Sequence, residues 1–169
     1  MFKKCIDFCD PSFIESIEIE GLDSQEVYED IVKSPQWKNS REVLLNGYFN
    51  GLLKVNLNDF LHFKSIELNV EELSVEDAWK LVENFVSIGS KDDRIDIRSR
   101  IHMKTDLIRH KIETELVGDW KGMAFNSIRL LRHPENPQLI LKCMYEWYRF
   151  NVVFITPEPF DFYRLGLFA

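Results

Sequence analysis

The chain has 169 residues, with 21 Lys/Arg against 28 Asp/Glu, a formal charge of −7 and a pI near 5.2. Its 45% apolar and 29% charged content is that of an ordinary globular domain, which excludes a disordered or collagen-like chain and argues against a general nucleic-acid binder. At this length residues 1–169 can bury their own core, so a single globular domain is expected.

The chain begins MFKKCIDFCDPSF and meets Asp7 and Asp10 before any apolar run forms, so it does not read as a secretory leader. No later stretch is apolar enough to span a bilayer, and the expectation is a soluble, cytoplasmic protein. Cys5, Cys9 and Cys143 fit neither a disulfide framework nor a zinc site by number or spacing; they are expected as reduced thiols.

SIEIEG, from Ser16, alternates apolar and acidic residues with period two and predicts a short strand. Asp23 or Ser24 then opens a helix to about Lys33, with Glu26 as a capping-box partner, and Pro35 stops it. SREVLLNGYFNGLL, from Ser40, predicts a second helix with Val43, Leu44, Tyr48 and Leu52 on one side, weakened by Gly47 and Gly51. FKSIELNV predicts a strand. SVEDAWKLVENFVSIG carries the clearest helix signature, with Ser74 as cap, a stripe of Ala78, Leu81, Val82 and Phe85, and Gly89 as stop.

The segment RIDIRSRIHMKTDLIRHK, residues 94–111, holds six Lys/Arg and two His and can be read in two ways. Alternation over 94–104 suits a strand. The stripe Ile97, Ile101, Ile108, Ile112 and Leu116, with Ser90 as cap and Asp92 and Asp93 in a first turn, favours one long helix. Beyond Gly118, IRLLRH and QLILKCMYEWYRFNVVFI are separated by the turn signal PENP, and the second predicts a hairpin, with a helix from Pro137 as the rival. The closing EPFDFYRLGLFA is expected to pack on the core, and no internal repeat is evident. The expected fold is α+β, a helix-rich domain with a small antiparallel sheet, the alternative being mainly α.

Charge is divided unevenly: residues 1–90 carry 8 Lys/Arg against 17 Asp/Glu, residues 91–169 carry 13 against 11. The run ESIEIEGLDSQEVYED has seven acids and no base. Clustered carboxylates steer a positively charged partner, and aromatic anchors supply affinity. A basic protein partner, such as a nuclease, is therefore expected at Glu15, Glu18, Glu20, Asp23, Glu26, Tyr28, Glu29, Asp30 and Trp37. The enzymatic alternative uses His102, Asp106 and His110, which lie along one face if 94–116 is a helix, as metal ligands or an acid/base set. Nucleotide, esterase, zinc-protease and EF-hand signatures are missing, so no cofactor or metal is expected. In size, acidity and lack of catalytic motifs the chain resembles bacterial toxin-immunity proteins. That resemblance is one of profile, implies an inhibitor rather than an enzyme, and transfers no functional residues.

Overall fold

The computed structural model describes residues 9–22, 24–46, 54–91, 93–116, 122–125, 128–133, 136 and 138–156. Four strands, β1 (Ser16–Glu20), β2 (Glu42–Asn46), β3 (Ser65–Val70) and β4 (Arg94–Ser99), run parallel in chain order. Four more, β5 (Gly122–Phe125), β6 (Ile128–Arg132), β7 (Ile140–Glu146) and β8 (Arg149–Ile155), form an antiparallel meander. Because β8 pairs antiparallel with β4, the two halves make one eight-stranded mixed sheet of order β1-β2-β3-β4-β8-β7-β6-β5.

A repeated five-residue pattern builds the parallel half. SIEIE, EVLLN, SIELN and RIDIR each place aliphatic residues at their second and fourth positions, which in a strand point to the same face. The pairing aligns them into two rows, Ile17–Val43–Ile66–Ile95 and Ile19–Leu45–Leu68–Ile97. The meander extends both rows, through Val152 and Cys143 and through Phe150 and Tyr145. The strands start roughly 25 residues apart, the spacing of a solenoid in which each strand brings its own crossover.

Those crossovers pack against the two rows. Helices α1 (Gln25–Lys33) and α2 (Pro35–Asn39) link β1 to β2, α3 (Val75–Ile88) links β3 to β4, and α4 (Thr105–Glu115) follows β4. Their buried residues, Tyr28, Ile31, Trp37, Ala78, Leu81, Val82, Phe85, Ile108 and Ile112, join the rows in one core cluster. Between β2 and β3 the connection includes a 3-10 turn, Leu57–Phe60, buttressed by Trp37, whose ring meets Phe60 and Phe63 edge-on at 5.3 and 5.0 Å. Ser24, Ser34 and Ser74 cap α1, α2 and α3, each accepting from a backbone N–H three residues on. At Gly89 a Cβ would lie 2.5 Å from the Phe85 carbonyl oxygen and 3.0 Å from the Phe154 ring, so the entry to β4 tolerates no side chain there.

The fold expectation is therefore corrected: the sheet is the dominant element and is mixed, not a small antiparallel addition to a helix-rich domain. Two segments predicted as helix contain strands. Glu42–Asn46 is β2, and the single helix proposed for 94–116 divides into β4 and α4. In both segments sheet neighbours on either side take up the aliphatic alternation, and this tertiary pairing overrides helical spacing. Ser90 caps no helix: its N–H and hydroxyl both donate to the Asp93 carboxylate in the turn before β4. The strands at Ser16 and Ser65, the helices from Ser24 and Ser74, and the β7–β8 hairpin agree with expectation. The proposals for Cys5, Asp23, residues 47–53, Asp92, Gly118, Pro134, Pro137 and 158–169 lie outside the described residues.

Leu68 is fully buried in the second row, while Leu44, one strand away, is half-buried on the other face. Leu68→Ala is expected to lower stability by about 2–5 kcal/mol, and Leu44→Ala by less than half of that, in urea unfolding monitored by circular dichroism.

Candidate functional site

The pleat that sends aliphatic residues into the core sends the intervening ones to the opposite face of the sheet. Across the parallel half that face carries Glu18, Leu44, Glu67 and Asp96 in one register row. Ser16, Glu42 and Ser65 form the row on one side of it. A cleft of about 260 Å³ opens there, lined by Ser16, Glu42, Leu44, Ser65, Glu67 and Arg94. The described helices of the crossovers pack on the core side, and Glu18, Glu20, Glu42, Arg94 and Arg98 are exposed.

Charge on this face is graded along the sheet. Glu18, Glu20 and Glu42, on β1 and β2, have no cationic partner among the described residues. On β3, Glu67 is only 17% exposed and lies 3.4 Å from both Arg94 and Arg98 of β4. Asp96, buried in the middle of β4, accepts a two-pronged contact from Arg149 of β8: Nε to Oδ1 at 2.9 Å and Nη2 to Oδ2 at 2.5 Å. This bonding, reinforced by the negative charge of Asp96, raises the pKa of Arg149 above its usual range. The carboxylate that would cost most to bury is thus matched by a guanidinium of fork geometry.

The expected partner residues do not form one surface. Glu15, Glu18 and Glu20 are exposed on or next to β1, whereas Glu26 and Glu29 are exposed on α1 and Asp30 is half-buried there, across the sheet. Tyr28 and Trp37 are 2% and 1% exposed and cannot act as surface anchors. The Tyr28 hydroxyl donates to Asp59 at 3.1 Å and accepts from the Asn56 N–H, and Trp37 Nε1 donates to the Asp59 carbonyl at 3.0 Å. Both rings brace the β2–β3 connection.

The enzymatic alternative loses its geometry as well. His102 precedes α4 instead of lying on it, and its ring packs on Trp147 and Tyr148 with centroids 5.3 and 5.8 Å away. Asp106 pairs with Arg109 at 2.9 Å, and His110 is exposed on α4. Among the described residues no three His, Cys, Asp or Glu side chains are grouped to hold a metal. Cys143 is a free thiol sealed in the core, where burial pushes its pKa up to about 12, and Cys9 is exposed.

Sequence reasoning missed two surface features. Glu42 belongs to the face opposite the described helices only because its segment is a strand. Trp147 and Tyr148, 68% and 52% exposed, form the two-residue tip of the β7–β8 hairpin beside the His102 ring. Their position between two β-rich runs was a visible signal: aromatic residues between paired strands have no sheet face to occupy.

No described helix is long and apolar enough to cross a membrane. The profile of the FTH domain matches residues 1–115, and the chain belongs to that family. No curated protein and no solved structure matches the chain.

Arg149→Ala would leave Asp96 buried without its partner. It is expected to destabilise the protein by about 2–3 kcal/mol, less than a fully buried pair because the guanidinium is 41% exposed, while Asp96→Asn costs less; thermal midpoints check the order. Burial also raises the pKa of Tyr28. A group whose pKa is raised by folding stabilises fully below its unfolded value and ceases to do so as pH climbs towards the folded one. The urea midpoint should therefore hold up to about pH 9.0 and fall from there towards 12, with a shallower fall in Cys143→Ala.

Proposed function

Taking the chain as a member of the FTH domain family, we propose that it is a non-enzymatic partner-binding domain that receives a basic segment of another protein on the sheet face opposite its described helices. The observation that carries this reading is the trio Glu18, Glu20 and Glu42, exposed on β1 and β2 without an ion-pair partner among the described residues; Glu42 lines the cleft, to which Arg94, paired with Glu67, also contributes. A carboxylate set held on strands needs little reorganisation to meet a Lys- or Arg-bearing segment, and its field steers the encounter. The cleft offers Leu44 for the stem of such a side chain and Glu42 for its charge. The family is F-box-associated, a context in keeping with recognition of a partner. The toxin-neutralising form of the reading gains nothing from that membership, so the proposal is limited to recognition of a basic partner. The free thiol of Cys143 suits a reducing, cytoplasmic compartment.

Affinity capture with cross-linking mass spectrometry identifies the partner, and titration of the purified pair then tests the surface. The triple reversal Glu18→Lys, Glu20→Lys and Glu42→Lys is expected to weaken the complex by about tenfold or more and to flatten its salt dependence with the thermal midpoint unchanged. Glu26→Lys with Glu29→Lys, on α1, should leave affinity intact. Equal losses from both sets would reject the sheet face as the binding surface.

A further inference from the structure

At one edge of the sheet β1 has a strand neighbour on one side only, β2. The two pair in parallel, from Ser16 opposite Glu42 to Glu20 opposite Asn46, and the Glu42 N–H donates to the Glu15 carbonyl at 3.0 Å. Along a parallel ladder successive residues of one strand turn their backbone groups to opposite sides, so this bond fixes the rest. Ile17 and Ile19 direct N–H and C=O to β2, whereas Ser16, Glu18 and Glu20 direct theirs outward, past the edge of the sheet. No strand or loop among the described residues takes up those outward groups.

An open edge is a template for a further strand, and sheets commonly guard it with proline, lysine or a bulge. The SIEIE segment of β1 contains neither proline nor lysine, and its one-to-one register has no bulge. The edge is also fixed from the core side: Ile17 and Ile19 are buried against the helices, so little ordering is left for a partner to impose.

What this edge carries is negative charge. Glu18 and Glu20 are exposed and form no ion pair among the described residues, and the residue opposite Glu18 on β2 is the uncharged Leu44. Ser16 stands opposite another acid, Glu42. Arg41, beside Glu15 at the start of β2, pairs with neither Glu18 nor Glu20. Like charges on adjoining strands destabilise a ladder and opposite charges support it. A second copy of β1 would set glutamates against glutamates, so the edge discriminates against self-pairing and favours a strand bearing cations.

We infer that the basic segment of the preceding proposal docks as an added strand along the outer edge of β1, with Lys or Arg at every second residue facing Glu18 and Glu20 and its backbone bonded to the outward groups of Ser16, Glu18 and Glu20. The inference rests on that reading and adds how the segment is held. Main-chain bonds supply affinity, and the alternation of cations supplies selectivity.

The probe is a short synthetic peptide with lysine at alternate positions and threonine or valine between them, titrated against the full chain by fluorescence anisotropy. A peptide of the same composition with its lysines in one block, and an alternating peptide with glutamate in place of lysine, are the controls. The alternating lysine peptide is expected to bind most tightly. Glu18→Gln removes the charge alone, whereas Glu18→Pro also removes an N–H that β2 does not use, so Glu18→Pro should weaken binding at least about tenfold more. Circular dichroism checks that both variants fold. Independently of either variant, hydrogen exchange read by NMR should slow on binding at the amides of Ser16, Glu18 and Glu20 and change little at Ile17 and Ile19, which β2 already bonds. Equal losses in the two variants with no slowing at those three amides would overturn strand addition and leave recognition of a basic segment standing. No binding of the lysine peptide, or binding indifferent to the triple reversal of Glu18, Glu20 and Glu42, would overturn both readings. Equal affinity for the block or glutamate peptide, or a homodimer that slows the same three amides, would overturn the alternating basic strand as the occupant.

Discussion

The two aliphatic rows, Ile17–Val43–Ile66–Ile95 and Ile19–Leu45–Leu68–Ile97, are the constraint on which the rest of the structure depends. Each contributes by removing apolar surface from water on both sides, against neighbours in the sheet and against the helices beneath. Their register admits no slip. A shift of one residue would bring Glu18, Glu67 and Asp96 into the core and expel the aliphatic residues, reversing every burial term at once. The rows also decide where the meander attaches, because Val152 and Phe150 of β8 continue them past β4.

From that constraint the functional face follows. With the core placed on one side by the pleat, polar residues spaced by two along each strand collect on the other. Parallel pairing brings together side chains more than twenty residues apart in sequence, as in the cleft between Ser16, Glu42, Ser65 and Arg94. The resulting field runs from uncompensated carboxylates on β1 and β2 to paired arginines on β4 and β8. One face therefore presents two chemically distinct ends. The Asp96–Arg149 contact fastens the junction between the parallel and antiparallel halves, where an unmatched buried charge would be most damaging.

Elements with local signals were legible. Ser24 and Ser74 announced α1 and α3, the alternation of SIEIE and SIELNV announced β1 and β3, and the aromatic and β-branched content of 145–155 announced the β7–β8 hairpin. The stripe of Ala78, Leu81, Val82 and Phe85 is buried as its spacing required. β2 and β4 were misread because EVLLN and RIDIRS satisfy helical and extended patterns equally over five or six residues. The recurrence of the same x-apolar-x-apolar-x unit at four places carried the missing information, but only comparison between distant segments reveals it.

The candidate site shows the same division. Glu18 and Glu20 were identified correctly as exposed carboxylates, whereas Tyr28 and Trp37 were placed beside them on grounds of proximity in sequence and are buried in the core. By itself the amino-acid sequence determined the acidic balance, the capped helices, the alternation of individual strands and the absence of familiar catalytic signatures, because each is a property of composition or of a few adjacent residues. Only the tertiary structure decided which strands pair, which carboxylates share a face, and that His102 meets Trp147 instead of His110. The physical reason is that strand pairing is a long-range interaction. A strand's side chains acquire a buried or exposed face when its neighbours arrive, and the neighbours here are supplied by segments far away in the chain.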